Sequence, residues 1–193
     1  MKIYDISQEI LSCKVYPGDP VPQKTQICSM EKGDLYDLSS FSMCAHNGTH
    51  IDAPRHFIKD GRTVDELPLS KTVGMAYVAC HQGKLTAEDA KYVLEKANGT
   101  KMILLKGDLF VSKEAAEVFA GAEIDLLGNE SQTVGPEDAP MAVHLVLLSA
   151  GVVLLEGIRL SDVEEGQYLL MAAPLNIEGA EGSPCRAVLL EGL

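Results

Sequence analysis

Five histidines occur in this chain of 193 residues, and three of them stand in one segment, HNGTHIDAPRHF, residues 46–57. His46, His50 and His56 are joined there by Asp52, two positions after the second histidine. Imidazole nitrogen and carboxylate oxygen are donors that a divalent ion of borderline hardness takes readily, zinc or manganese among them. In an extended segment side chains alternate between faces, which puts His50 and Asp52 on the same side. His46, four residues before His50, shares that side on a continuing strand, and Gly48 allows a bend that swings it toward the same ion. Three protein ligands leave a coordination position open, the mark of a catalytic site over a structural one. His56 follows Pro54, which disfavours helix, so it stands near such an ion without having to bind it. The blander reading is a polar loop in which Thr49 and Asp52 satisfy turns. For one histidine that reading would prevail; three with an aspartate weigh against it.

A second pair lies far along the chain. His144 falls within the apolar PEDAPMAVHLVLLSAG and Glu156 within the apolar VVLLEG. A glutamate in such a strand is unusual, because buried charge is costly unless paired or bound to metal. A histidine on an apolar helix is, by itself, more often a packed core residue. With the first cluster, the pair suggests five ligands, His46, His50, Asp52, His144 and Glu156, and two ions bridged by Asp52. His81 has no such company.

The elements that must position these groups are mixed in type. TAEDAKYVLEKANG, residues 86–99, is punctuated as a helix, with Thr86 as N-cap, acids in the first turn and Asn98-Gly99 as the stop. A second helix follows Ser112, and a third begins at Pro140. KIYDIS, MAYVACH, KMILLK, AEIDLLG, VVLLEG, YLLMAAPLNI and CRAVLL are apolar runs of strand length, while YPGDP and KDGRTVDELPL are turns. Strands and helices alternate in one domain, residues 1–193, of α/β or α+β class. The β-rich first third favours a layered fold over a doubly wound one.

Composition narrows the function. A formal charge of −12, with sixteen scattered Lys and Arg, offers no cationic stripe for a nucleic acid. No apolar run approaches membrane-spanning length, and MKIYDISQEI turns polar too early for a signal peptide. The five cysteines contain no CxxC pair and read as reduced, buried thiols of a cytoplasmic protein. There is no GxSxG nucleophile elbow.

HNGTHIDAPRHF resembles the HxGTHxDxPxHF signature of the cyclase family, metal-dependent hydrolases that include kynurenine formamidase and isatin hydrolase. YPGDP is similar to that family's (W/Y)PGDP turn, HLVLLSAGVVLLEGIRLSDVEEGQY to its H-x-x-L-L…LEGL stretch, and APLNIEGAEGSPCRAVLL to its C-terminal segment. The resemblance covers essentially the whole chain. It implies a swivelling β/β/α fold assembled as a homodimer or larger homo-oligomer. It places the metal ligands on His46, His50, Asp52, His144 and Glu156, the general acid/base on His56 and a substrate-contacting aromatic on Tyr16. The implied chemistry is hydrolysis of a small-molecule amide, an aryl formamide first and a cyclic amide such as isatin second. A metal-binding protein without turnover is the reading from another class, and the presence of His56 speaks against it. Departures from the formamidase pattern are HNGTH for HTGAH, Tyr16 for Trp, Val143 before His144, and Glu130 in GNESQTVG where an Asp is usual. These lie outside the ligand set and bear on the substrate.

Overall fold

In the computed structural model, which describes residues 1–192, local sequence signals set the helix ends. Helix α1 (Ala87–Ala97) starts at a capping box in which Thr86 and Asp89 satisfy each other's backbone, and it stops at Asn98 in the left-handed region. Helix α2 (Lys113–Gly121) is capped by Ser112, whose hydroxyl accepts from the Ala115 amide. Helix α3 (Met141–Ser149) follows Pro140. Among the described residues no helix is long and apolar enough to cross a membrane.

Among the described residues the remaining regular structure is thirteen strands and four short 3-10 turns. The strands are β1 (Lys2–Asp5), β2 (Gln23–Cys28), β3 (Leu38–Ser42), β4 (His50–Asp52), β5 (Val73–Cys80), β6 (Gly83–Leu85) and β7 (Met102–Lys106). After them come β8 (Leu109–Val111), β9 (Leu126–Asn129), β10 (Val153–Glu156), β11 (Gly166–Met171), β12 (Gly182–Pro184) and β13 (Val188–Glu191). Nine form one mixed sheet in the order β1-β13-β11-β5-β7-β9-β10-β4-β12. Its middle, β5-β7-β9-β10, is parallel. Parallel strands need crossover connections, and each of the three helices lies in one.

All three helices pack on one face. Ala90, Val93, Phe119, Leu147 and Leu148 meet Ile103, Leu105, Leu127 and Leu154 there. The opposite face gathers Ile51, Leu104, Leu155, Leu170 and Leu189 from strands at both ends of the order, together with Ile6 and Ile158. Residues so far apart in the sheet share one core because the sheet curls. The layered arrangement matches the sequence expectation.

Three expectations need correction. YLLMAAPLNI does not continue as strand: β11 ends at Met171, and only an isolated bridge, Pro174 to Cys185, follows. Pro174 has no N–H to give to a ladder. CRAVLL enters the sheet only at Val188. The cysteines are free but not buried; Cys80 is exposed and the other four are half-buried. They sit in loops and at strand ends, outside both apolar clusters except where Cys185 flanks one. One element had no clear sequence signal. Strands β2 and β3 pair as an antiparallel arm whose side chains are exposed on both faces, so no alternation marks them.

Candidate metal centre

The first histidine cluster is positioned by a three-residue strand. β4 lies between β10 and β12, antiparallel to both, with His50 opposite Glu156 and Asp52 opposite Leu154 and Gly182. Directly opposed residues project from the same face. Leu154 belongs to the helix-side core and Ile51 to the other, so His50, Asp52 and Glu156 all point to the helix side. There they meet His144 from the first turn of α3. His46 arrives from the preceding loop, which bends at Gly48 with φ +67. The bend anticipated at Gly48 is present.

The geometry suits a cation. Asp52 and Glu156 are 0% and 3% exposed. His50 Nε2 stands 3.3 Å from Asp52 Oδ1 and 3.5 Å from Glu156 Oε2. His144 Nε2 stands 3.6 Å from Asp52 Oδ2 and 3.3 Å from Glu156 Oε1. Ligand atoms about 2.1 Å from a tetrahedral ion lie about 3.4 Å from one another, so these separations are of the size a shell requires, with His50 and His144 facing different oxygens of each carboxylate. His46 Nδ1 is closer, 2.7 Å from Asp52 Oδ1. Asp52 Oδ2 is buried with no hydrogen-bond partner. A buried carboxylate oxygen left in that state points to a missing ligand. His50, Asp52 and Glu156 form one group within reach of a common ion, and His46, Asp52 and His56 a second that shares Asp52.

Backbone contacts fix two of the imidazoles. The Nδ1–H of His50 donates to the Gly48 carbonyl at 3.0 Å, and that of His144 to the Pro140 carbonyl at 2.9 Å. Each leaves its Nε2 lone pair toward the carboxylates, the usual device for setting a metal-binding tautomer. Glu156 Oε1 also accepts from the Val134 amide at 2.7 Å.

The buried acids and the imidazoles around them shift one another's affinity for protons. Burial opposes a charge on His144, yet hydrogen bonds to Asp52 and Glu156 raise it to about 10. His50 is likewise raised against its burial by the same two acids, and His46 by Asp52. Burial works against ionised Asp52 too, but His144, His46 and His50 hold its carboxyl well below the usual range. His56 differs: burial lowers it, and Asp52 only partly offsets that.

A cleft of about 250 Å³ opens beside the cluster. Tyr16, Asp19, Phe57, Thr133 and Pro140 line it together with His46, His56 and His144. The His56 ring lies 4.0 Å from that of His46 and edge-on to Phe57 at 4.6 Å. Tyr16 is part of the wall, its hydroxyl donating to the Glu137 carbonyl at 3.3 Å. All seven residues singled out in the sequence therefore meet in one place. Phe57 and Thr133 went unnoticed; Phe57 closes the histidine window, but Thr133 has no local signal.

Comparison with known proteins identifies the family. The Cyclase family profile matches residues 4–136. The chain belongs to the cyclase family. The kynurenine formamidase of Salinibacter ruber is 34% identical over 206 residues, spanning 98% of this chain and 97% of that relative. A solved structure described as a predicted metal-dependent hydrolase from Bacillus stearothermophilus is 30% identical, with a TM-score of 0.83 and 97% of each chain covered. An isatin hydrolase bound to the product analogue thioisatinate shares the fold, with a TM-score of 0.87 at 19% identity over 100% of this chain and 93% of its own. The cyclase fold is the swivelling β/β/α arrangement expected from the sequence.

Glu130, which stands where the family commonly has Asp, has a structural role here. Glu130 does not line the cleft. Its carboxylate accepts from the Gly107 amide at 2.8 Å and the Leu160 amide at 2.7 Å, clamping the turns after β7 and β10. Glu130→Ala should therefore destabilise the fold by about 1.5–3 kcal/mol, the usual range for hydrogen bonds to a charged group. Urea unfolding measures this; an unchanged midpoint would show the clamp to be idle.

Proposed function

We propose that the chain is a metal-dependent amidohydrolase cleaving the C–N bond of an aryl formamide of the N-formylkynurenine kind. The observation that carries this reading is the buried Asp52–Glu156 pair, framed by imidazoles at ligand spacing and opening onto an aromatic-walled cleft. The name of the Salinibacter ruber relative supports the substrate class. A nitrogen and oxygen donor set without thiolate suits Zn²⁺ first and Mn²⁺ second, as one or two ions held by His46, His50, Asp52, His144 and Glu156.

Such an ion supplies Lewis acidity, polarising the amide carbonyl and acidifying water. The protein's own groups do the rest. Asp52 and Glu156 set the charge of the site, and the backbone-anchored His50 and His144 keep their Nε2 atoms turned inward. Tyr16, Phe57 and Pro140 form the wall against which an aryl ring lies. Water adds across the C–N bond, giving formate and an arylamine. The departing nitrogen takes its proton from a ring nitrogen of His56, a group suited to proton transfer near neutral pH.

We infer that the active form is a homodimer. The β2–β3 arm carries Ile27, Tyr36 and Phe41 in solvent, and Leu35 at its tip is 94% exposed. Phe41 and Met43 at its base also line an apolar groove with Ile10, Leu175 and Pro184. An apolar arm and an apolar groove on one chain satisfy each other in a two-fold pair. The free thiols suit a reducing compartment such as the cytoplasm.

Protein made in metal-replete medium should carry zinc or manganese by elemental analysis. His144→Ala should lower metal content and rate together, whereas His56→Ala should keep its metal and lose about 10²- to 10⁴-fold in rate. Metal lost in step with activity would make His56 a ligand, and a metal-free wild type that still turned over would sink the metal reading. Tyr16→Ala should raise KM for an aryl formamide and spare a small aliphatic one; equal effects on both would leave Tyr16 as surface cover. Sedimentation equilibrium should find a dimer that Leu35→Glu with Phe41→Glu dissociates, and a monomeric wild type would overturn that assignment.

A further inference from the structure

His46 is the one proposed ligand whose ring is not anchored by a backbone carbonyl, and it comes from a loop. Something else must hold it. The ring lies over the edge strand β12, where Gly182 stands opposite Asp52 in the ladder. A side chain at position 182 would share the face of Asp52, and the His46 ring occupies that space. A Cβ added to Gly182 would fall 2.5 Å from His46 Cε1, 2.9 Å from Nε2 and 3.0 Å from Nδ1. The backbone of Gly182 is not in the left-handed region, so the need for glycine here is for room.

The neighbouring residue addresses the ring electrostatically. Glu181 Oε1 lies 3.4 Å from His46 Nε2. That Nε2 is buried and has no hydrogen-bond partner within bonding geometry. The other nitrogen, Nδ1, already faces Asp52 at 2.7 Å. His46 is thus turned the opposite way from His50 and His144, with Nδ1 inward and Nε2 outward. A small movement of the half-exposed Glu181 side chain gives Nε2–H its acceptor.

We propose that Gly182 and Glu181 are positioning residues for His46: the glycine seats the ring, and the carboxylate receives Nε2–H so that Nδ1 faces the metal. The inference rests on the metal-dependent reading above. Outer carboxylates of this kind fix the tautomer and raise the basicity of a ligating imidazole, and their loss costs about 10- to 100-fold in metal affinity.

Co²⁺ titration of the metal-stripped chain, read by its visible absorption and by competition with a chromophoric chelator, tests this without recourse to activity. Glu181→Ala should weaken Co²⁺ binding about 10- to 100-fold, and Glu181→Gln should recover part of the loss by keeping an acceptor. Gly182→Ala should alter the Co²⁺ spectrum as the ring is displaced. Should that variant fold poorly, Glu181→Ala alone decides, because its side chain is outside the core. Wild-type affinity and spectrum in Glu181→Ala would overturn the carboxylate's role, and an unchanged spectrum in folded Gly182→Ala would overturn the seating. A wild-type chain that took up no Co²⁺ would instead sink the metal reading, and this inference with it.

Discussion

Two carboxylates, Asp52 and Glu156, are held side by side where water scarcely reaches them, and the surrounding structure exists under that constraint. Two unpaired negative charges in such a place would cost several kcal/mol each. Three imidazoles and the Val134 amide therefore converge on them. Replacing His50 or His144 by an aliphatic side chain is not a simple packing change, because it removes compensation from both acids at once. The histidines and acids are one electrostatic unit.

That unit sits where the architecture changes character. The parallel middle of the sheet gives way at β10 to two short antiparallel strands, β4 and β12. Helix α3 covers the boundary with only its first turn over the site, so the cleft opens between helix and strand end. Burial on one side and access on the other follow from this position. The deep side holds charge; the open side is a cleft lined by Tyr16 and Phe57.

The sequence displayed much of this. Period-two spacing puts His50 and Asp52 on one face, and the oddity of Glu156 in an aliphatic strand marks it as a site residue. Thr86 and Asn98 bounded α1 correctly because capping is local. What escaped was decided at a distance. The role of Glu130 depends on amides 23 and 30 residues away. Glu181 and Gly182 matter only because β12 pairs with β4, a register that no local pattern announces. The β2–β3 arm, exposed on both faces, carries no alternation to read. The cysteines were misjudged because a thiol's burial depends on where its loop lies, which composition does not report.

The pairing of β4 with β10 ties residue 50 to residue 156, across more than half the chain. Neither strand exceeds four residues, so each is too short to persist alone. Loop-closure entropy over such a span must be met before Glu156 joins His50 and Asp52. The complete centre therefore needs both segments of the chain, and no fragment lacking either one can hold it. An ion bound there acts on the whole molecule as a cross-link does, stabilising the native state by mass action. Binding at the centre would therefore be felt as added resistance to opening of the sheet edge.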